Sequence, residues 1–103
     1  MKYFFHPEAK KELVESINYY NKCGVGLGYI FMDEVQATIE RILRFPKAWS
    51  MLTKNVRRCI TRRFPYGVIY QEREDDILII SIMHLNRKPG YWEDRVESFT
   101  KNE

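Results

Sequence analysis

A chain of 103 residues with 45% hydrophobic and 15% aromatic content suffices for one hydrophobic core and is too apolar for intrinsic disorder, so a single domain over residues 1–103 is expected. The net charge of +3 is modest, and the longest apolar run, Ile77 to Met83 with Ser81 inside it, falls far short of the roughly 20 residues a membrane span needs. The first residues, Met1 to Glu8, lack the apolar stretch and small-residue cleavage site of a signal peptide, so a cytoplasmic location without a membrane partner is expected.

Lys2 to Phe5, with three consecutive aromatics, reads as a short strand. Pro7 and Glu8 then suit the first turn of a helix, and Ala9, Leu13, Ile17 and Tyr20 recur at helical spacing up to Asn21. Lys10, Lys11, Glu12 and Glu15 are expected on the opposite, solvated side. The glycines of Gly24-x-Gly26-x-Gly28 have the wrong spacing for a nucleotide loop and follow a helix rather than a strand, so a helix cap and tight interhelical turn is expected there. A second helix carries Leu27, Phe31, Val35, Ile39 and Ile42 as its apolar stripe and ends at Phe45-Pro46. The two helices predict an antiparallel hairpin that needs a sheet to cover its apolar face.

Pro46 to Asn55 reads as a loop whose Trp49 closes one end of the core or, as the lesser alternative, stacks on a base. From Val56 onward the sequence predicts a meander of strands, with turns at Arg62 to Gly67 and Arg73 to Asp76. Ile77 to Met83 is apolar on both faces and should be fully buried; Pro89-Gly90 is expected to end that strand. Tyr91 to Val96 reads as a short helix, followed by a polar tail from Phe99 to Glu103. The fold class is thus α+β: an antiparallel sheet in the order β-α-α-β-β-β, a helical hairpin on one face and a short C-terminal helix. The opposite face is expected to stay partly open and to carry the function. Cys23 and Cys59 fit no metal spacing and read as free thiols.

The cations are unevenly placed. Residues 1–40 are slightly acidic, whereas Arg41 to Arg95 hold Arg41, Arg44, Arg57, Arg58, Arg62, Arg63, Arg73, Arg87 and Arg95 together with Lys47, Lys54 and Lys88. Arginine suits bidentate phosphate or carboxylate contacts, so a polyanionic or acidic partner is expected: a nucleic acid, an acidic protein, or both.

The order of elements, with His6-Pro7-Glu8-Ala9, Val56-Arg57-Arg58, Arg62-Arg63-Phe64-Pro65-Tyr66, and His84-x-x-Arg87-x-Pro89-x-x-Trp92, resembles the RelE/ParE toxin superfamily of type II toxin–antitoxin systems. The likeness covers nearly the whole chain and is closest to the ParE-like branch, often labelled plasmid stabilisation proteins. It implies a growth-inhibiting toxin, neutralised by a cognate antitoxin in a toxin–antitoxin hetero-oligomer. In the ParE-like case the toxin poisons DNA gyrase by binding and is not itself an enzyme. The alternatives are a RelE-like nuclease that cuts mRNA on the ribosome without a metal, or a non-toxic member that only binds its antitoxin. No cofactor and no metal are implied.

An RNA cut needs a base for the 2′-hydroxyl proton, cations for the phosphate and an acid for the leaving oxygen. The candidates are Arg58 and Arg62, expected to share one strand face by parity, His84 at the end of the last strand, Arg87 just beyond it, and Tyr91 as a base-stacking or proton-donating group. Each also has a structural reading: Arg58 and Arg62 as a solvated face or antitoxin contact, His84 as a strand-end hydrogen-bonding group, Arg87 as a tie to the C-terminus through Glu93 or Asp94, and Tyr91 and Trp92 as anchors of the terminal segment. No acidic base is expected on the open face, because Glu72 and Glu74 sit near the second turn.

Overall fold

The computed structural model describes residues 1–97; the tail expected from Phe99 to Glu103 lies outside them. Elements run β1 (Lys2–Phe5), α1 (Pro7–Cys23), α2 (Leu27–Arg44), β2 (Ser50–Thr53), β3 (Val56–Ile60), β4 (Tyr66–Glu72) and β5 (Asp76–His84), then a 3-10 turn at Glu93–Arg95. The α+β class and the helical hairpin on one face of the sheet are as expected. No helix among the described residues is long and apolar enough to cross a membrane.

Both helices begin and end where local chemistry directs. Pro7 opens α1, with His6 as its cap; the His6 ring nitrogen accepts from the Glu8 amide at 3.0 Å. α2 starts after Gly26, whose φ of 75° favours glycine, and stops at Phe45, ahead of Pro46. Gly28 lies inside α2, where its amide donates to the Asn21 side chain at 2.8 Å and α1 passes against its Cα. The α2 stripe of Phe31, Val35, Ile39 and Ile42 is buried with Ala9, Val68, Tyr70 and Ile79 in one cluster between helices and sheet.

Sheet order is β1-β5-β4-β3-β2. Most of it is the expected antiparallel meander, with two additions. β1 joins as an edge strand parallel to β5, Lys2 to Phe5 aligning with Asp76 to Ile79. β2 forms within the segment expected to be all loop, pairing antiparallel with β3 through Ser50–Arg58 and Met51–Arg57. Every β2 residue is exposed, so neither face carries the apolar alternation that marks a strand in sequence. β5 is buried throughout its apolar run but ends at His84, ahead of Pro89-Gly90, because the Arg87 amide turns back to the His84 carbonyl.

A bulge organises β5. Adjacent Tyr70 and Ile69 pair with Ile79 and Ser81, leaving Ile80 as the extra residue. Ile77, Ile79 and Ile82 therefore join the helix-side cluster, while Leu78, Ile80 and Met83 join a second cluster on the other face with Val56, Ile69 and Trp92.

Tyr20 sits among the rings of Phe31, Phe64 and Tyr66. Burial, then the neighbouring Tyr66, pushes its pKa from 10.0 up to about 12. Its folded-state pKa exceeds its unfolded value, so the associated stability is complete below pH ~10 and is lost as pH rises towards 12. We expect chemical denaturation to show a fall in stability over that window that Tyr20→Phe reduces. An unchanged alkaline profile in Tyr20→Phe would refute the assignment.

Candidate functional site

The face opposite the helices is less open than expected, because the C-terminal segment crosses it. Trp92 is buried there, with Tyr91 and Val96 beside it. Gln71 clamps the segment with paired bonds, its amide donating to the Glu97 carbonyl and its oxygen accepting from the Glu97 amide, each at 2.8 Å. A cleft of about 290 Å³ remains, lined by Leu52, Arg58, Ile69, Met83, Trp92 and Glu93, among others. Arg58 reaches it across Gly67, where even a Cβ would come within 3.0 Å of the arginine Cδ. The Arg58 Nε is buried without a hydrogen-bond partner among the described residues.

Arg62 does not share that face, a correction to the parity expectation. β3 ends at Ile60, and Arg62 lies in the following loop, on the helix side, lining a pocket with α2 residues. Parity holds only while the strand remains regular, and here Glu34 of α2 captures the loop by accepting from the Arg62 and Arg63 amides at 2.6 and 3.1 Å. Arg57, on the helix face of β3, is spent structurally. It and Lys47 clamp Glu72 at 3.0 and 2.9 Å. Burial pushes the Glu72 carboxyl up, but the bonds and charges of Lys47 and Arg57 outweigh it and hold the group below its ordinary range.

His84 turns to the helix side as well, its ring edge-on to Tyr66 at 5.1 Å, and its Nδ1 accepts from the Asn86 amide at 3.0 Å. Arg87 and Tyr91 do meet. The guanidinium lies 3.8 Å from the Tyr91 ring centroid, a cation–π stack. They line a cleft of about 460 Å³ with His6, Glu8, Asp94 and Arg95.

What gathers them is Glu12, which sequence reasoning placed on the solvated side of α1. Its carboxylate accepts from the Ser81 hydroxyl at 2.9 Å, the Ile82 amide at 3.0 Å and the Tyr91 hydroxyl at 3.0 Å, and pairs with Arg95 at 3.0 Å. Glu12 follows Ala9 by three positions, so it flanks the buried stripe. β1 stops pairing at Ile79, which leaves the Ile82 amide on a bare strand edge that a carboxylate can satisfy. The spacing from Ala9 was the available signal; the strand edge was not visible in sequence. Burial first, then the Glu12 charge, raises the Tyr91 phenol above its ordinary pKa against the lowering bond to Ser81, which makes it a weaker acid.

Trp49 packs against the helix-side cluster, as expected of a core-closing residue. Cys23 and Cys59 are free thiols. Among the described residues, no group of three or more His, Cys, Asp or Glu side chains could hold a metal ion. Arg58, Arg62 and His84 thus serve different surfaces, while Arg87 and Tyr91 share a cleft with His6, Glu8, Asp94 and Arg95.

A family model described as ParE toxin of type II toxin–antitoxin system, parDE, matches residues 3–89. Among solved structures, the chain is similar to one described as the chromosomal ParDE TA system from P. aeruginosa, with a TM-score of 0.70 and 13% identity over 84% of this chain and 97% of that one. At that identity the likeness concerns fold alone. No curated protein matches the chain.

Proposed function

The chain belongs to the ParE toxin family of type II toxin–antitoxin systems, and from that premise we propose that it inhibits growth by binding an essential target such as DNA gyrase, without cutting RNA, and is neutralised by a cognate antitoxin. One observation supports the binding reading: Arg58, Arg62 and His84 stand apart from one another, and only Arg87 and Tyr91 share a cleft. Arg58 lies on the outer face, Arg62 beside α2, and His84 against Tyr66. The Tyr91 hydroxyl is engaged by Ser81, at 2.7 Å, and by Glu12. General acid–base catalysis requires its groups within hydrogen-bond reach of one substrate, about 2.6–3.2 Å. The unpaired Arg58 favours an acidic antitoxin segment over the outer cleft.

The test is pulse-labelling after induction of the chain without antitoxin. Thymidine incorporation is expected to fall before methionine incorporation, and His84→Ala and Tyr91→Phe are expected to retain growth inhibition. An early fall in protein synthesis with cut mRNA on ribosomes, abolished by either substitution in a folded protein, would establish the nuclease reading instead. No effect on growth from a soluble, folded chain would leave antitoxin binding as its role.

A further inference from the structure

On the helix side, away from the outer cleft, a pocket of about 420 Å³ is lined by Ala37, Glu40, Arg41, Arg44, Phe45, Trp49 and Arg62. Its volume falls within the roughly 300–1,000 Å³ typical of small-molecule sites. None of the three arginines forms a salt bridge among the described residues; Arg41 donates only to the Thr38 hydroxyl, at 3.1 Å, among the described side-chain bonds. Glu40 is the sole carboxylate in the lining, so the pocket is strongly cationic. Lys47 and Arg57 instead share the Glu72 carboxylate.

Arg41 and Arg44 lie in the last turn of α2, where they complement the helix dipole. Arg62 comes from a different segment, held in place by Glu34 through its backbone, so its side chain is left free to face the same space. Trp49 adds a second, independent sign. Its indole Nε1 is a buried donor with no acceptor among the described residues, and buried donors are ordinarily paired. Phe45, on the rim, is 57% exposed despite its size, and an exposed ring beside a cationic groove is the usual platform for stacking a nucleobase.

We propose that this pocket binds the phosphate of a nucleotide, with Arg41, Arg44 and Arg62 holding the phosphate oxygens, the Trp49 indole donating to the ligand, and Phe45 stacking on the base. Guanidinium groups suit phosphate because their fork of donors matches its oxygens. A dianionic phosphate balances this excess of positive charge better than a single carboxylate does. The site shares no lining residue with the outer-face cleft.

The experiment follows the two indole N–H resonances, Trp49 and Trp92, in a nitrogen-15 correlation spectrum of the full chain, assigned with Trp49→Phe. The probes are adenosine 5′-monophosphate, inorganic phosphate, hexaglutamate and sodium chloride at matched ionic strength. The nucleotide is expected to shift the Trp49 signal saturably while Trp92 stays in place, and to bind about tenfold more tightly than inorganic phosphate. Arg62→Gln should weaken it about tenfold, because it removes one charge-assisted contact without touching the backbone bond to Glu34. Arg63→Gln, next to it in the loop, should leave the affinity unchanged. The proposal is overturned if the nucleotide gives no saturable shift, if sodium chloride reproduces it, or if hexaglutamate alone produces it, which would make the pocket a docking point for an acidic peptide.

Discussion

Replacing Glu12 by alanine is expected to destabilise the fold by about 3–5 kcal/mol, the usual cost of removing one partner from a buried charged network. The carboxylate side chain is only 12% exposed and serves the Ser81 hydroxyl, the Ile82 amide, the Tyr91 hydroxyl and Arg95 together. Its loss leaves the Ile82 amide on an uncovered strand edge and Arg95, 11% exposed, without its carboxylate. For a domain of this size such a loss lowers Tm by more than about 10 °C. Glu12→Gln keeps an oxygen for the Ser81 hydroxyl and the Ile82 amide but turns the acceptor facing the Tyr91 hydroxyl and Arg95 into a donor, so a cost below that of alanine, about 1.5–3 kcal/mol, is expected. Urea unfolding of both variants checks the ranking. If Glu12→Ala costs under about 1 kcal/mol, the carboxylate is not what ties α1, β5 and the C-terminal segment together.

Gly28→Ala is expected to lose about 2–3 kcal/mol, although alanine is ordinarily the better helix residue by about 1 kcal/mol. A Cβ at this position would collide with the Ile17 carbonyl oxygen and stand 2.6 Å from the Asn21 side-chain oxygen, which itself holds the Gly28 amide. α1 and α2 would have to separate, opening the cluster beneath Phe31. Gly24→Ala is the control: the nearest atoms to its added Cβ belong to Leu27 at 3.7 Å, ordinary contact, so a change within about 0.5 kcal/mol is expected. The sign of the Gly28 effect is the discriminating result. A gain in stability would mean that the helix hairpin is not closed as tightly as described.

These two positions also mark what could be read in advance. The three glycines between the helices look equivalent in sequence, as turn residues. Gly26 needs glycine because of its φ of 75°, whereas Gly28 needs it because another helix backbone crosses there. The first is a local property; the second depends on residues seven and eleven positions earlier, Asn21 and Ile17, packing against it. Glu12 is similar. Its helical spacing puts it beside the buried stripe, but whether it is solvated or buried depends on where β1 stops along β5.

The candidate site followed the same division. Arg58 and Arg62 share parity, and in an unbroken strand they would share a face. The strand ends at Ile60, and Glu34 draws the loop to the helix side, so the two side chains serve different surfaces. Arg87 and Tyr91 are close in sequence and meet through a turn, but Arg87 stacks on Tyr91 and lies 3.9 Å from Glu12, a residue of α1 far away in sequence, which also accepts from Tyr91.

By itself the sequence determined the α+β class, the hairpin of two helices, the buried run of β5 and the turn between β3 and β4, because each depends on periodicity, proline placement or turn chemistry within a few residues. Only the tertiary structure decided that β1 lies parallel to β5, that exposed Ser50–Thr53 is an edge strand, that Ile80 bulges, and that the arginines divide between an outer cleft and a pocket beside α2. The reason is that a side chain's face follows from its position only while the backbone stays regular. At a strand end, a bulge or an edge, hydrogen bonds to distant elements set the direction instead.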